Sequence, residues 1–429
     1  MKKVVCLLSL SLSLLFGCGT LRAKTLPRVR PGIEVLRERD FDVLRGKRVG
    51  LVTNPTGVDN KLRSTVDILH EAPNVQLVAL YGPEHGVRGN IYAGDAVNTE
   101  VDERTGLLMY SIFGKTLKPT AEMMKDIDVL VYDIQDNGCR SYTFISTLGM
   151  LMEACAENDK ELVVLDRPNP LGGRKIEGCL AEDGYISFVS QFKIPYLYGQ
   201  TVGELALMLN AEAGEDQAAD LSIAKSGRLN KPCRLTVVPM EGWHRDMRWE
   251  DTGMPWVPSS PHVQTGHTAY FYPMTGILGE FGYYSIGVGY TLPFELLGAP
   301  WVDAENLAAA MNDLSLPGLI FRPIHYKPFY SVYKGEQIHG VQIYITDYAK
   351  VCLTEVQFRL LEVLDKMYPE REFFKVADPK RFRMFDQVCG TGYIRSTFGK
   401  RYLWEDIRDY WMKDVETYRL RSSKYYLYE

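Results

Sequence analysis

The stretch DVLVYDIQDNGCRSYT, residues 128–143, changes character halfway along. Its first seven residues are a short apolar run of Val, Leu, Tyr and Ile, the composition of a strand buried on both faces in a parallel sheet. The remainder is polar and reads as a loop. Three other runs repeat the plan: RVGLVT at 48–53, VQLVALY at 75–81 and ELVVLD at 161–166. Helix-like sequence lies between them, most clearly at 64–71 and 146–158. Strand alternating with helix predicts an α/β fold, a Rossmann-like parallel sheet with helices on both faces.

Open α/β sheets bind ligands outside the carboxyl ends of their strands. The segments that follow the four runs are NPTG (54–57), GPEHG (82–86), QDNGCRSYT (135–143) and RPNPLGG (167–173), and all four should open on one edge. None is the glycine fingerprint of a dinucleotide site, and there is no P-loop, so no cofactor is expected. The second loop is stiffened by Gly82, Pro83, Gly86 and Gly89, and it carries Glu84, His85 and Arg88. Glu84 is the candidate general acid, because a carboxyl kept partly dry can hold a proton for a leaving oxygen. Asn54 belongs to the first loop, Asp133, Gln135, Asp136 and Arg140 to the third strand and its loop, and Asp166, Arg167 and Asn169 to the fourth. Ion pairs that merely pin loops use the same residue types. Taken together, however, acids and bases gathered on one edge suit a sugar bearing an anionic substituent.

Other chemistries lose support. The histidines show no H-x-x-x-H or H-E-x-x-H spacing, so no metal is expected, and G-x-S-x-G is absent. A net charge of −5 without a basic block excludes a nucleic-acid surface. The six cysteines after Cys18 form no C-x-x-C pair and read mostly as buried thiols. Thr201 and Glu204 read as a capping box opening a helix. Pro and Gly then cluster at 251–266, where the chain divides into a Rossmann-like domain (19–258) and a smaller α+β domain (259–429). The latter should hold a strand at 340–346, a helix at 354–364 and an aromatic-rich final helix from Trp404. Tyr283, Tyr284 and Tyr290 suit either sugar stacking or, more commonly, packing. Residues 1–18 have the form of an export signal, two lysines and then an apolar run too short to span a membrane. LFGC at 15–18 resembles a bacterial lipobox, so Cys18 is the expected lipidation site and the periplasm or cell envelope the expected location.

NPTGV, YGPEHGVRG, YDIQDNGCRSYTFI, DRPNPLGG, GQTVGELALMLN, MPWVPSSP, PFELLGAPWVD and the terminal YYLYE together resemble a family of bacterial exo-β-N-acetylmuramidases, formerly a domain of unknown function. The resemblance implies an active cleft between the two domains, release of terminal N-acetylmuramic acid from the non-reducing ends of peptidoglycan fragments, and Glu84 as the catalytic residue. Peptidoglycan saccharides or muropeptides would be the only partners, with the membrane met through the lipid alone. A second carboxylate would come from Asp136, Asp133, Asp166 or Glu280, in that order, and Arg140, Arg167 or Arg88 would read the lactyl carboxylate. The chain departs from the family pattern at 279–290, where GEFGYYSIGVGY stands in place of a more charged segment while keeping Glu280 in register. The competing expectation is therefore a lipid-tethered glycan-binding protein whose catalysis has weakened.

Overall fold

The computed structural model describes residues 28–89, 99–214 and 222–429. The signal segment and Cys18 lie outside the described residues. A seven-stranded sheet is built from β1 (Arg48–Thr53), β2 (Gln76–Gly82), β3 (Glu100–Val101), β4 (Leu108–Ser111), β5 (Val129–Asp133), β6 (Glu161–Leu165) and β7 (Arg234–Val238). Their order is β3-β4-β2-β1-β5-β6-β7, parallel throughout except for the short edge strand β3. The α/β expectation holds, and every residue of β5 is buried, as a strand covered on both faces requires. The order turns back between β1 and β5, which makes that edge the switch point where such sheets form a crevice.

The helices start where their caps allow. Ser64 accepts from the Val66 amide to open Thr65–His70, and Thr201 and Glu204 exchange both bonds of a capping box to open Val202–Ala211. The smaller domain holds an antiparallel sheet of β8 (Leu296–Ala299), β9 (Leu319–Tyr326) and β10 (Ile338–Ile345), ordered β8-β10-β9. β9 carries Pro323, which hides it in the sequence and fits its place at the sheet edge. The expected final helix is two, Glu405–Trp411 and Val415–Ser422, and at the break between them the Asp414 carboxylate accepts the Leu180 amide (3.0 Å).

One apolar core runs from the face of the large sheet into the smaller domain, joining Tyr132 and Leu148 to Phe271, Leu353 and Trp411. Arg140 crosses the same boundary. Its fully buried guanidinium donates to the carbonyls of Cys179, Ile194, Val388 and Cys389 and to Ser190 Oγ. The chain end is stitched back as well: Tyr428 donates to Asp166 (2.6 Å), the Leu427 amide to Glu204 (2.9 Å), and the Arg245 amide to the main-chain oxygen of Glu429 (2.8 Å). These contacts fix how one domain faces the other.

Candidate active site

The loop after β2 is a tight turn closed by the Gly86 amide on the Pro83 carbonyl (2.9 Å). His85 has a φ of +71°, a conformation that costs a non-glycine residue of the order of 1 kcal/mol and persists only where its surroundings impose it. At Gly89 a Cβ would stand 2.4 Å from Pro55 Cγ, so the absent side chain lets the second loop lie directly on the first. Glu84 is half-buried and takes a long bond from Thr143 Oγ1 (3.4 Å), at the start of helix Phe144–Glu157.

Glu84 and His85 form one wall of a cavity of about 300 Å³. Ser141, Tyr142 and Thr143 continue it, Ser260 and His262 come from the interdomain segment, and Tyr272, Glu280 and Phe294 close it from the smaller domain. Two carboxyl groups thus face one cavity from opposite domains. Burial raises the pKa of Glu280, with the Arg381 charge opposing, while Arg381 also donates to the Glu280 carbonyl (2.8 Å). His262 is held below the usual imidazole range by burial and by the neighbouring His85. A second cavity of about 240 Å³ shares Tyr272, Glu280 and Phe294 and is lined further by Ser285, Ile286 and Val288. The segment 279–290 is therefore a wall of the cleft, although Tyr284 packs on Phe373 and Trp301 and Tyr290 on Tyr326 and Phe329.

The remaining expected residues are placed differently. Asp133 is buried in a two-bond pair with Arg167 (2.5 and 2.9 Å) and accepts from Thr65, so neither member is presented to the cavity. Asp166 is taken up by Thr201 (2.7 Å), the Gly203 amide (2.8 Å) and Tyr428. Arg140 spends its donors on carbonyls, as described above. Arg88 pairs with Asp102 at 2.9 and 3.0 Å, away from the cavity. Asn54 folds onto Thr56, Gln135 donates to the carbonyls of Asp136 and Pro168, and Asn169 bridges Gln200 and Leu171. Asp136, expected as the second carboxylate, is buried under the edge, accepting from Tyr198 and the Gly138 amide, and does not line the cavity. Two physical reasons account for this. At the carboxyl edge of a sheet buried on both faces, loop backbone must find partners, and Asn54, Gln135, Asp136, Arg140, Asp166 and Asn169 supply them, while Asp133 with Arg167 and Arg88 with Asp102 are taken up in ion pairs.

Among the described residues no Lys or Arg lines the Glu84 cavity, whose donors are hydroxyls and imidazoles. Ser141, Thr143, Ser260, His262 and Tyr272 were not singled out for the site from the sequence. For the first four the available signal was their place inside or beside CRSYTFI and VPSSP, the loops already seen as distinctive, whereas Tyr272 sits within the helix Thr268–Gly279 and carries no such signal.

The buried acids leave a pH signature. Burial pushes Asp136 up to about 7 and Asp166 up to about 6, against the bonds that oppose it. Each folded-state value lies above the unfolded one, near 4. The native state therefore holds extra protons, and the stability they represent is complete below about pH 4 and lost as pH rises through 6 and 7. Urea unfolding should accordingly give a higher stability at pH 5 than at pH 8. Asp136→Asn should flatten that difference by up to about 2.5 kcal/mol; an unchanged slope in the variant would show that Asp136 is ionised throughout.

Comparison with known proteins agrees with this architecture over nearly its whole length. The model of the exo-β-N-acetylmuramidase NamZ N-terminal domain matches residues 49–267, and that of its C-terminal domain matches 270–428. The chain is 42% identical over 403 residues to the peptidoglycan β-N-acetylmuramidase NamZ of Bacillus subtilis (strain 168), covering 94% of this chain and 92% of that protein. A crystal structure of a DUF1343 family protein from Bacteroides fragilis NCTC 9343 superposes with a TM-score of 0.88 at 60% identity, covering 94% of this chain and 99% of that one. A second DUF1343 family protein from the same strain gives 0.70 at 29% identity over the same shares. With both domain models matched in order, the chain belongs to the exo-β-N-acetylmuramidase NamZ family.

Proposed function

We propose that this protein is an exo-acting glycoside hydrolase that releases terminal N-acetylmuramic acid from the non-reducing ends of peptidoglycan fragments, in cell-wall turnover. The observation that carries the reading is the pair Glu84 and Glu280, presented from two domains to one small cavity in a chain of this family. Glycoside hydrolysis asks for two carboxyl groups flanking the scissile bond, one to protonate the leaving oxygen and one to act on the opposite side of the sugar. Glu84, held by a stiff loop and by Thr143, is assigned the acid. Glu280 replaces Asp136 as the second group, acting on water or on the substrate's own acetamido group. The lactyl carboxylate would be met by the hydroxyls and imidazoles of the cavity rather than by arginine.

Export by residues 1–18 and lipid attachment at Cys18 would hold the enzyme in the cell envelope, a reading that rests on the sequence. The direct test is hydrolysis of 4-nitrophenyl β-N-acetylmuramide beside the corresponding N-acetylglucosaminide. Turnover of the muramide and not the glucosaminide is expected. Inertness towards both, with muropeptide binding retained in calorimetry, would make the protein a glycan receptor instead.

A further inference from the structure

The loop joining β9 to β10, residues 327–337, carries two aromatic side chains that remain largely in solvent, Phe329 at 68% exposure and Tyr330 at 49%. Exposed aromatics of this size on an ordered loop leave apolar surface uncovered. The loop is held at several points. The Phe329 amide donates to the Gly289 carbonyl (2.7 Å), Gly335 to Pro328 (2.9 Å), and Tyr333 Oη to the Tyr283 carbonyl (2.8 Å). Gly289 has a φ of +92°, and a Cβ there would stand 2.0 Å from the Tyr330 carbonyl oxygen, so the loop's seat on 279–290 requires glycine.

This seat puts the aromatics at the rim of the catalytic cleft. Tyr330 Oη lies 3.0 Å from His262 Nε2, with the two rings roughly parallel, and His262 lines the Glu84 cavity. The next residue, Ser331, lines the adjoining cavity that shares Glu280. Phe329 stacks on Tyr290 with its plane 20° away, extending the aromatic edge outward. An exo-acting enzyme encloses the terminal sugar and leaves the rest of the glycan to emerge at the mouth. A pyranose has flat faces of C–H bonds that pack on aromatic rings, and a preformed ring surface costs little entropy on binding.

We infer that Tyr330 and Phe329 form a stacking platform for the pyranose on the leaving-group side of the scissile bond. The platform rests on the hydrolase reading above. It would make affinity depend on the second sugar of the substrate, while the Glu84 cavity recognises the first.

The test uses the peptide-free disaccharide of N-acetylmuramic acid β-1,4-linked to N-acetylglucosamine as substrate, and free N-acetylmuramic acid as competitive inhibitor. Phe329→Ala and Tyr330→Ala should each raise KM for the disaccharide, together by about tenfold or more, with kcat changed far less. The inhibition constant of the monosaccharide should not move in Phe329→Ala, because the monosaccharide fills only the enclosed position and Phe329 stacks on Tyr290, outside the Glu84 cavity. Phe329→Tyr and Tyr330→Phe, which restore a ring, should rescue KM. Cleavage of the disaccharide with KM unchanged in the alanine variants overturns the platform and leaves the hydrolase reading intact. A wild-type protein that does not cleave the disaccharide overturns both.

Discussion

Glu84→Gln is expected to lower kcat on the disaccharide by about 10⁴-fold, the upper end of what a positioned proton donor supplies, while leaving substrate binding in place. The amide keeps the shape of the carboxyl and its contact with Thr143, so the loop has no reason to move. What disappears is the proton for a sugar oxygen that leaves poorly as an alkoxide. 4-Nitrophenolate leaves without that proton, so the same variant should lose much less on the chromogenic muramide. Glu280→Gln should behave otherwise. A group acting on water or on the acetamido side is needed whatever leaves, so its loss should be of similar size on both substrates. The ratio of the two losses, measured for each variant, assigns the roles. A leaving-group dependence in Glu280→Gln and none in Glu84→Gln would exchange them. Full activity of Glu84→Gln on the disaccharide would remove Glu84 from the mechanism.

The sheet was legible because a strand covered on both faces leaves a continuous apolar run, and β1, β2, β5 and β6 each show one. β7 and β9 leave no such run: they lie at sheet edges, β7 mixes Arg234 and Thr236 into its apolar residues, and β9 alternates exposed and buried positions with proline within it. The loop that carries Glu84 was legible for a different reason. Prolines and glycines around a carboxyl and an imidazole mark backbone held for chemistry rather than for packing. The rest of the site was not, because sequence shows which residues follow a strand but not whether their side chains turn out to the cleft or in to the loops. Asp136 and Thr143 belong to one loop, yet the first is sealed beneath the edge and the second touches Glu84. Glu280 enters the sequence reading only through the family resemblance and last of four candidates, because it reaches the cavity through the packing of the smaller domain, which no spacing along the chain encodes.

That division between cleft and support sets the largest expected effect on stability. Arg167→Ala should cost about 3–5 kcal/mol, because it leaves the Asp133 carboxylate buried with its charge uncompensated. The pair is inaccessible from both sides, at 2% and 0% side-chain exposure, so water cannot replace the lost partner. Arg167 also donates to the Val58 carbonyl (2.9 Å), and through it the loops after β1, β5 and β6 share one ion pair. Asp133→Leu combined with Arg167→Met should recover most of the loss, since removing both charges also removes the cost of burying them. Urea unfolding of the single and double variants measures this. Activity at a temperature where each variant remains folded separates support from chemistry. If Asp133 acts only through the fold, Asp133→Asn should lose stability and retain most of kcat. A large loss of kcat at unchanged stability would instead put Asp133 back among the catalytic groups, and would mean that the cleft opens further towards the sheet edge than the Glu84 cavity alone.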